Sequence, residues 1–165
     1  MNDLLETGVE EAGISFVLNG RPVRHVVPVR RNLVDFLRHD LGLTAAHVGC
    51  EVGVCGACNV RVDGAVVRGC LMLAVQVDGL AVDTIEGMND SGEIAGLQRA
   101  FVACNALQCG YCTPGMLMTA CELLRQNACP SRGEIRDAIS GNYCRCTGYQ
   151  SIVDAVALAA QGGQP

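Results

Sequence analysis

The residues best equipped for chemistry in this chain are its cysteines, 11 of them in 165 residues. Eight fall into two spaced sets. The first, in "GCEVGVCGACNV", runs Cys50-x4-Cys55-x2-Cys58, with Cys70 following after eleven intervening residues. C-x4-C-x2-C…C is the spacing of plant-type [2Fe–2S] sites, in which each of two irons takes two thiolates. Gly49, Gly53 and Gly56 suit the same chemistry. Glycine accepts positive φ and carries no side chain, so the backbone can curl and aim N–H groups at sulfur. Zinc is the plain rival, but structural zinc sites set two short C-x-x-C-like knuckles around one ion, and this arm is too asymmetric for that.

The second set is Cys109-x2-Cys112 in "QCGYCTPG" with Cys144-x-Cys146 in "NYCRCTGY". On spacing alone it fits a second iron–sulfur cluster, a zinc site or, for Cys109 and Cys112, a thiol redox pair. No βαβ pattern surrounds Cys109 and Cys112, which argues against the redox pair. Each half of the set lies beside an expected helix N-terminus, where the helix dipole and unpaired N–H groups favour an anionic thiolate–iron cluster. The remaining cysteines, Cys104, Cys121 and Cys129, read as packing residues, because a free cysteine behaves as a small hydrophobe. His25, His39 and His47 show no ligand spacing; His47 is near the first loop, where four cysteines suffice without it.

These sets must be positioned by an otherwise ordinary globular chain, half hydrophobic and 18% charged. The net charge of -5 and scattered basic residues give no footprint for nucleic acid or anionic lipid. With 4% aromatics and no Trp, base-stacking platforms are also excluded. The opening "MNDLLETGVEEAG" has neither a basic nor an apolar region of a signal peptide, and residues 1–12 read as a mobile tail. No apolar run approaches the roughly 18 residues of a membrane span, so a cytoplasmic address is expected. There, and with an odd count, cysteines mean metal or redox chemistry rather than a disulfide framework.

The elements follow from periodicity. Ile14, Phe16 and Leu18 alternate into Asn19-Gly20, a strong hairpin signal, with a second strand around Val23 to Val29. Asn32 can cap a helix carrying Leu33, Phe36, Leu37 and Leu41, closed by Gly42. After the cysteine loop, Val60 and Val62 lead through Asp63-Gly64 to a return strand from Val66 to near Cys70, and a last strand spans Leu80 to Ile85. "EGMNDSGE", residues 86–93, reads as a linker. Beyond it four helices are expected: Ile94 to Cys104; one opened by Thr113 as cap and Pro114, with Leu117, Ala120, Cys121 and Leu124 on one stripe; one from the Ser131/Glu134 capping box through Ile139; and one carrying Ile152, Ala155, Val156 and Ala159.

Three long motifs, "GCEVGVCGACNVRVDG", "QCGYCTPGMLM" and "GNYCRCTGYQSIVDAV", occur in an order that resembles the iron–sulfur small subunit of the molybdenum hydroxylases. That family includes xanthine dehydrogenases, aldehyde oxidoreductases, carbon monoxide dehydrogenase and bacterial N-heteroaromatic dehydrogenases. The resemblance implies an α+β chain: a plant-type ferredoxin-like β-grasp domain, residues 13–88, followed by a four-helix bundle, residues 89–165, each with one [2Fe–2S] cluster. By motif it assigns Cys50, Cys55, Cys58 and Cys70 to the first cluster and Cys109, Cys112, Cys144 and Cys146 to the second. It also implies that Gln108 and Cys146 contact the pterin of a large subunit. Small departures, at Gly69, Val54 and "NACPS", remove no ligand.

The activity implied is electron relay. The large subunit holds molybdenum on molybdopterin, as the cytosine dinucleotide, and inserts water-derived oxygen into a C–H bond. Electrons then pass singly through the bundle cluster and the β-grasp cluster to FAD on a medium subunit, within a dimer of heterotrimers. An N-heteroaromatic substrate is expected on the breadth of that class, with carbon monoxide, aldehyde or xanthine as alternatives. A free-standing two-cluster ferredoxin is the other kind of molecule with these features.

Overall fold

A computed structural model describes residues 10–162. Of the tail expected at 1–12, residues 1–9 lie outside the described residues, and Glu11 and Ala12 already belong to the first strand. Strands β1 (Glu11–Leu18) and β2 (Arg21–Pro28) form an antiparallel hairpin in register Glu11↔Pro28 to Leu18↔Arg21. Its turn has φ 50° at Asn19 and 77° at Gly20, the pair of positive values that lets a two-residue loop follow strand twist. Strands β3 (Asn59–Val62) and β4 (Ala65–Arg68) repeat the device at Asp63 and Gly64, φ 46° and 85°. Strand β5 (Ala81–Asp83) lies between the hairpins, parallel to β1 and antiparallel to β3, giving the mixed order β2-β1-β5-β3-β4.

One face of this sheet is covered by α1 (Leu33–Asp35), which runs directly into a π turn, Phe36–Asp40. The Asn32 side chain accepts the Asp35 N–H at 2.8 Å, and Gly42 at φ 72° follows the helical segment, both as expected. Leu33, Val34, Phe36 and Leu37 are completely buried against Ile14, Phe16, Val60 and Val82. A 3₁₀ turn at Ala74–Val77, not foreseen, adds Ala74 and Val77 to the same core.

The stretch expected as a linker is instead largely a helix. α2 (Ile85–Asp90) buries Met88 in the second core, and that contact outweighs the weak helix preference of Gly87, Asn89 and Asp90. A Cβ on Gly87 would overlap the Asn19 side chain, so this glycine serves close packing rather than flexibility. Four further helices follow: α3 (Ala95–Ala103), α4 (Thr113–Gln126), α5 (Arg132–Ile139) and α6 (Gln150–Gln161). Their apolar stripes meet around Leu97, Phe101, Met116, Leu124, Ile135 and Ile152. The Ser131/Glu134 capping box forms in both directions. Cys121 is buried in this core and Cys104 packs against it, but Cys129 is exposed, which corrects its expected packing role. The loop before Pro130 simply does not reach the core.

Sheet and helices meet along β3, β4 and α4. Arg61 of β3 forms a two-pronged pair with Glu93 at 2.6 and 2.8 Å and a third bond to Asp83 at 2.9 Å. The guanidinium holds the Glu93 carboxyl below the usual carboxylate range. Glu122 of α4 accepts the free Val66 N–H of edge strand β4 at 2.8 Å. No helix among the described residues is long and apolar enough to cross a membrane.

Candidate iron–sulfur centres

The first cysteine loop occupies the irregular segment between the π turn and β3. Its curl is produced by positive φ at Glu51 (57°), Gly53 (79°) and Gly56 (73°). The curl turns backbone N–H groups toward the Cys50 sulfur: that of Cys55 donates to it at 3.4 Å, and those of Val52 and Val54 face it. Led by Val52, these donors hold the Cys50 thiol down at about 6 despite opposing burial. A Cβ on Gly49 would stand 3.2 Å from the Cys55 sulfur, and one on Gly53 would overlap Leu71. The glycines foreseen for this loop therefore make the room and the turns that it needs.

The β3–β4 hairpin supplies the other two thiols. Pairing Asn59 with Arg68 puts Cys58 and Cys70 just beyond the paired ends, where Gly69 N donates to Cys58 O at 3.1 Å and the two thiols are neighbours. Burial pushes the Cys58 thiol up to about 11. Gly69, one of the departures noted in the sequence, is explained here: a Cβ would lie 3.0 Å from Cys58 O and 3.1 Å from Val34 Cβ.

The second set converges from two loops. Cys112 occupies the cap position of α4, so Thr113 is the first helical residue rather than the cap. Cys144 and Cys146 lie in the loop between α5 and α6, which Tyr149 (φ 68°) staples by accepting Cys144 N–H on its hydroxyl at 2.9 Å. The thiols meet as Cys112 with Cys144 and Cys109 with Cys146. Burial, reinforced by Cys144, pushes Cys112 up to about 12. Burial also opposes ionisation of Cys144, but the Thr147 hydroxyl, 3.1 Å from its sulfur, helps to bring that thiol below its ordinary value. Gln108 donates to Cys146 O at 3.1 Å, so the two residues assigned to a pterin stand together on an exposed edge beside Cys109.

The eight thiols thus gather into two neighbourhoods, Cys50, Cys55, Cys58 and Cys70 in one and Cys109, Cys112, Cys144 and Cys146 in the other. A lone zinc ion asks for four donors about 2.3 Å from one point. Among the described residues no group of three or more metal-type side chains surrounds a single ion's position. Four thiolates around a wider space, with N–H donors near sulfur, are what two bridged irons ask for. The donor sets therefore fit [2Fe–2S] clusters, and metal charge would drive off the protons that burial holds on Cys58 and Cys112. All 11 cysteines are free, so no disulfide competes.

The two sets are tied to each other by contacts that sequence patterns did not disclose. Tyr143, next to Cys144, donates its N–H to Cys55 O at 2.8 Å. His47 stacks on Tyr111 with ring centroids 4.4 Å apart and bonds its carbonyl at 2.8 Å, while the Tyr111 hydroxyl returns to Val48 O at 2.8 Å. The Arg68 guanidinium reaches Gly53 O at 3.1 Å, Gly141 O at 2.7 Å and Asn59 Oδ1.

Comparison with known proteins agrees with this geometry. A family described as "2Fe-2S iron-sulfur cluster binding domain" matches residues 16–83, and "[2Fe-2S] binding domain" matches residues 84–157. The chain is 52% identical over 143 residues to the nicotine 6-hydroxylase small subunit of Paenarthrobacter nicotinovorans, covering 87% of this chain and 86% of that one. It is 49% identical to caffeine dehydrogenase subunit gamma of a Pseudomonas species, covering 87% of each. Among solved structures, quinoline 2-oxidoreductase of Pseudomonas putida 86 superposes with a TM-score of 0.87 at 46% identity, over 94% of this chain and 99% of that one.

Proposed function

Because the chain belongs to the family of iron–sulfur, electron-transfer small subunits of molybdenum hydroxylases, we propose that these eight cysteines hold two [2Fe–2S] clusters that relay single electrons from a large molybdopterin subunit to FAD on a medium subunit. Cys50 and Cys55 hold one iron of the first cluster, Cys58 and Cys70 the other. Cys109 with Cys146 and Cys112 with Cys144 hold the irons of the second. In this assignment the sheet unit is the ferredoxin-like β-grasp and α3 to α6 are the four-helix bundle. The gathering of eight cysteines from separate loops into two neighbourhoods of four is the observation that carries the proposal.

When bound in the large subunit, molybdenum on molybdopterin cytosine dinucleotide supplies oxidation of a substrate C–H bond with oxygen from water. This chain's part is to position and insulate. Gln108 and the Cys146 backbone form the edge that meets the pterin, with exposed Leu107 and Tyr111 beside it for the partner surface. At the other loop, Val52, Val54 and Leu71 expose apolar side chains near Cys50 and Cys55, a surface suited to the flavin-bearing partner. Nicotine and caffeine, in the names of two relatives, are N-heterocycles, and a substrate of that class is our proposal for the complex. Eleven free thiols suit a reducing compartment, so we place it in the cytoplasm, as a dimer of heterotrimers.

The test is purification from the native host. Two larger chains should co-elute, with about four irons and four acid-labile sulfides per copy of this chain, as two [2Fe–2S] clusters require. Two reduced EPR signals should appear, and Cys144→Ser should remove one of them. A lone monomer, or a Cys144→Ser protein with both signals intact, would sink the proposal.

A further inference from the structure

Asn142 is 2% exposed, yet its side-chain nitrogen Nδ2 has no hydrogen-bond partner among the described residues. A buried, unpaired amide donor is costly and rare, and it asks for a partner that protein atoms do not supply. Its orientation is fixed by a chain of bonds that begins at a group unable to accept. Arg68 donates to Asn59 Oδ1, so the Asn59 amide must point its nitrogen the other way, to Thr119 Oγ1 at 2.9 Å. The Thr119 hydroxyl, having accepted that bond, donates to Asn142 Oδ1 at 3.2 Å. The remaining end of the Asn142 amide is then Nδ2, and it rests against Gly56, between Cys55 and Cys58: a Cβ there would stand 2.8 Å from Nδ2. Gly56 is the residue in the loop whose missing side chain admits this contact.

We infer that Asn142, carried by the helical unit, donates its Nδ2–H to a sulfur of the cluster held by the Cys50 loop and raises the reduction potential of that cluster. The inference rests on the proposed ligand assignment. A donor at sulfur stabilises the added electron, so its loss lowers the potential. Asn142 is thus a positioning residue of one unit acting on the redox centre of the other, although in sequence it stands two residues from Cys144.

The experiment is a potentiometric EPR titration of the cluster-loaded full chain, with signals assigned by Cys55→Ser and Cys144→Ser. Asn142→Leu should shift the first-loop signal to lower potential, by about 59 mV if the reduction equilibrium changes about tenfold, and leave the other signal in place. Thr119→Val, which frees the amide to turn, should shift the same signal in the same direction by less. If Asn142 serves stability alone, both variants unfold more easily with neither potential moved, and the inference is overturned. A shift confined to the Cys144 signal overturns it equally. Absence of the first signal from the unsubstituted chain would instead defeat the ligand assignment, and the inference with it.

Discussion

Arg68 offers the sharpest test of how the two cysteine sets are held together. Its guanidinium serves three acceptors on three segments: Gly53 O in the first loop, Asn59 Oδ1 on β3 and Gly141 O ahead of Cys144. A hydrogen bond from a charged donor contributes about 1.5–3 kcal/mol. Three would sum to more than 4 kcal/mol, but the side chain is only half-buried and water can re-satisfy part of the loss. Arg68→Met should therefore cost about 3–4 kcal/mol. Arg68→Lys keeps the charge but not the fork, so one of three acceptors is served and the cost stays near 2 kcal/mol. For a chain of this length 1 kcal/mol corresponds to about 2–4 °C in Tm, so the methionine variant should melt about 10 °C lower and the lysine variant about 6 °C lower. Thermal scans at one fixed rate, followed by far-UV circular dichroism and by the visible cluster absorption, give both numbers. Bleaching of the first-loop cluster by a chelator should also accelerate, because Gly53 loses its anchor. If Arg68→Lys melts with the unsubstituted protein and bleaches no faster, the idea that geometry rather than charge joins the sets is wrong.

Three further substitutions probe separate parts of the molecule. Gly56→Ala places a Cβ 2.7 Å from Asn142 Cγ and 2.8 Å from Gly141 O at a φ of 73°, and should cost about 2–3 kcal/mol; Gly20→Ala, strained by φ alone with open space around it, should cost about 1 kcal/mol, and equal losses for the two would refute the packing argument. Glu93→Gln should cost about 1–2 kcal/mol near neutrality, since the pair with Arg61 has only 11% and 26% of its side chains exposed. Because Arg61 lowers the Glu93 pKa in the folded state, that stabilisation is present above the ordinary carboxylate range and is lost as pH falls through the folded value. Denaturant midpoints of the two proteins should therefore converge in acid; a gap that persists below that range would mean the ion pair is not its source.

What could be read from the sequence was what is locally encoded. The hairpins at Asn19-Gly20 and Asp63-Gly64 were legible because two consecutive positive φ values are a demand that few residues meet. The Ser131/Glu134 box was legible because both of its bonds lie within one turn. Helix α2 was not, since Gly87 and Asn89 weaken it locally and only the burial of Met88 and the approach of Asn19 decide its conformation. Ligand spacing pointed to the first cysteine set by itself. The second depended on the resemblance, because C-x2-C and C-x-C with 31 residues between them fit several chemistries until a fold brings them together. Asn142 lies inside the third motif, yet nothing there marked its role: a polar residue after a glycine reads as loop, and its burial against Gly56 is a purely tertiary fact.

The approach of α4 to the first loop limits how such chains can be recombined. A Cβ on Gly115 of α4 would overlap the Gly56 carbonyl oxygen, so helix and loop touch backbone to backbone, with no adjustable side chain to absorb a mismatch. A hybrid joining the sheet half of one relative to the helical half of another would have to inherit glycine at both positions and asparagine at 142 as a set. Halves exchanged without that set would be expected to dock imperfectly, because the seam has no side chain that could yield.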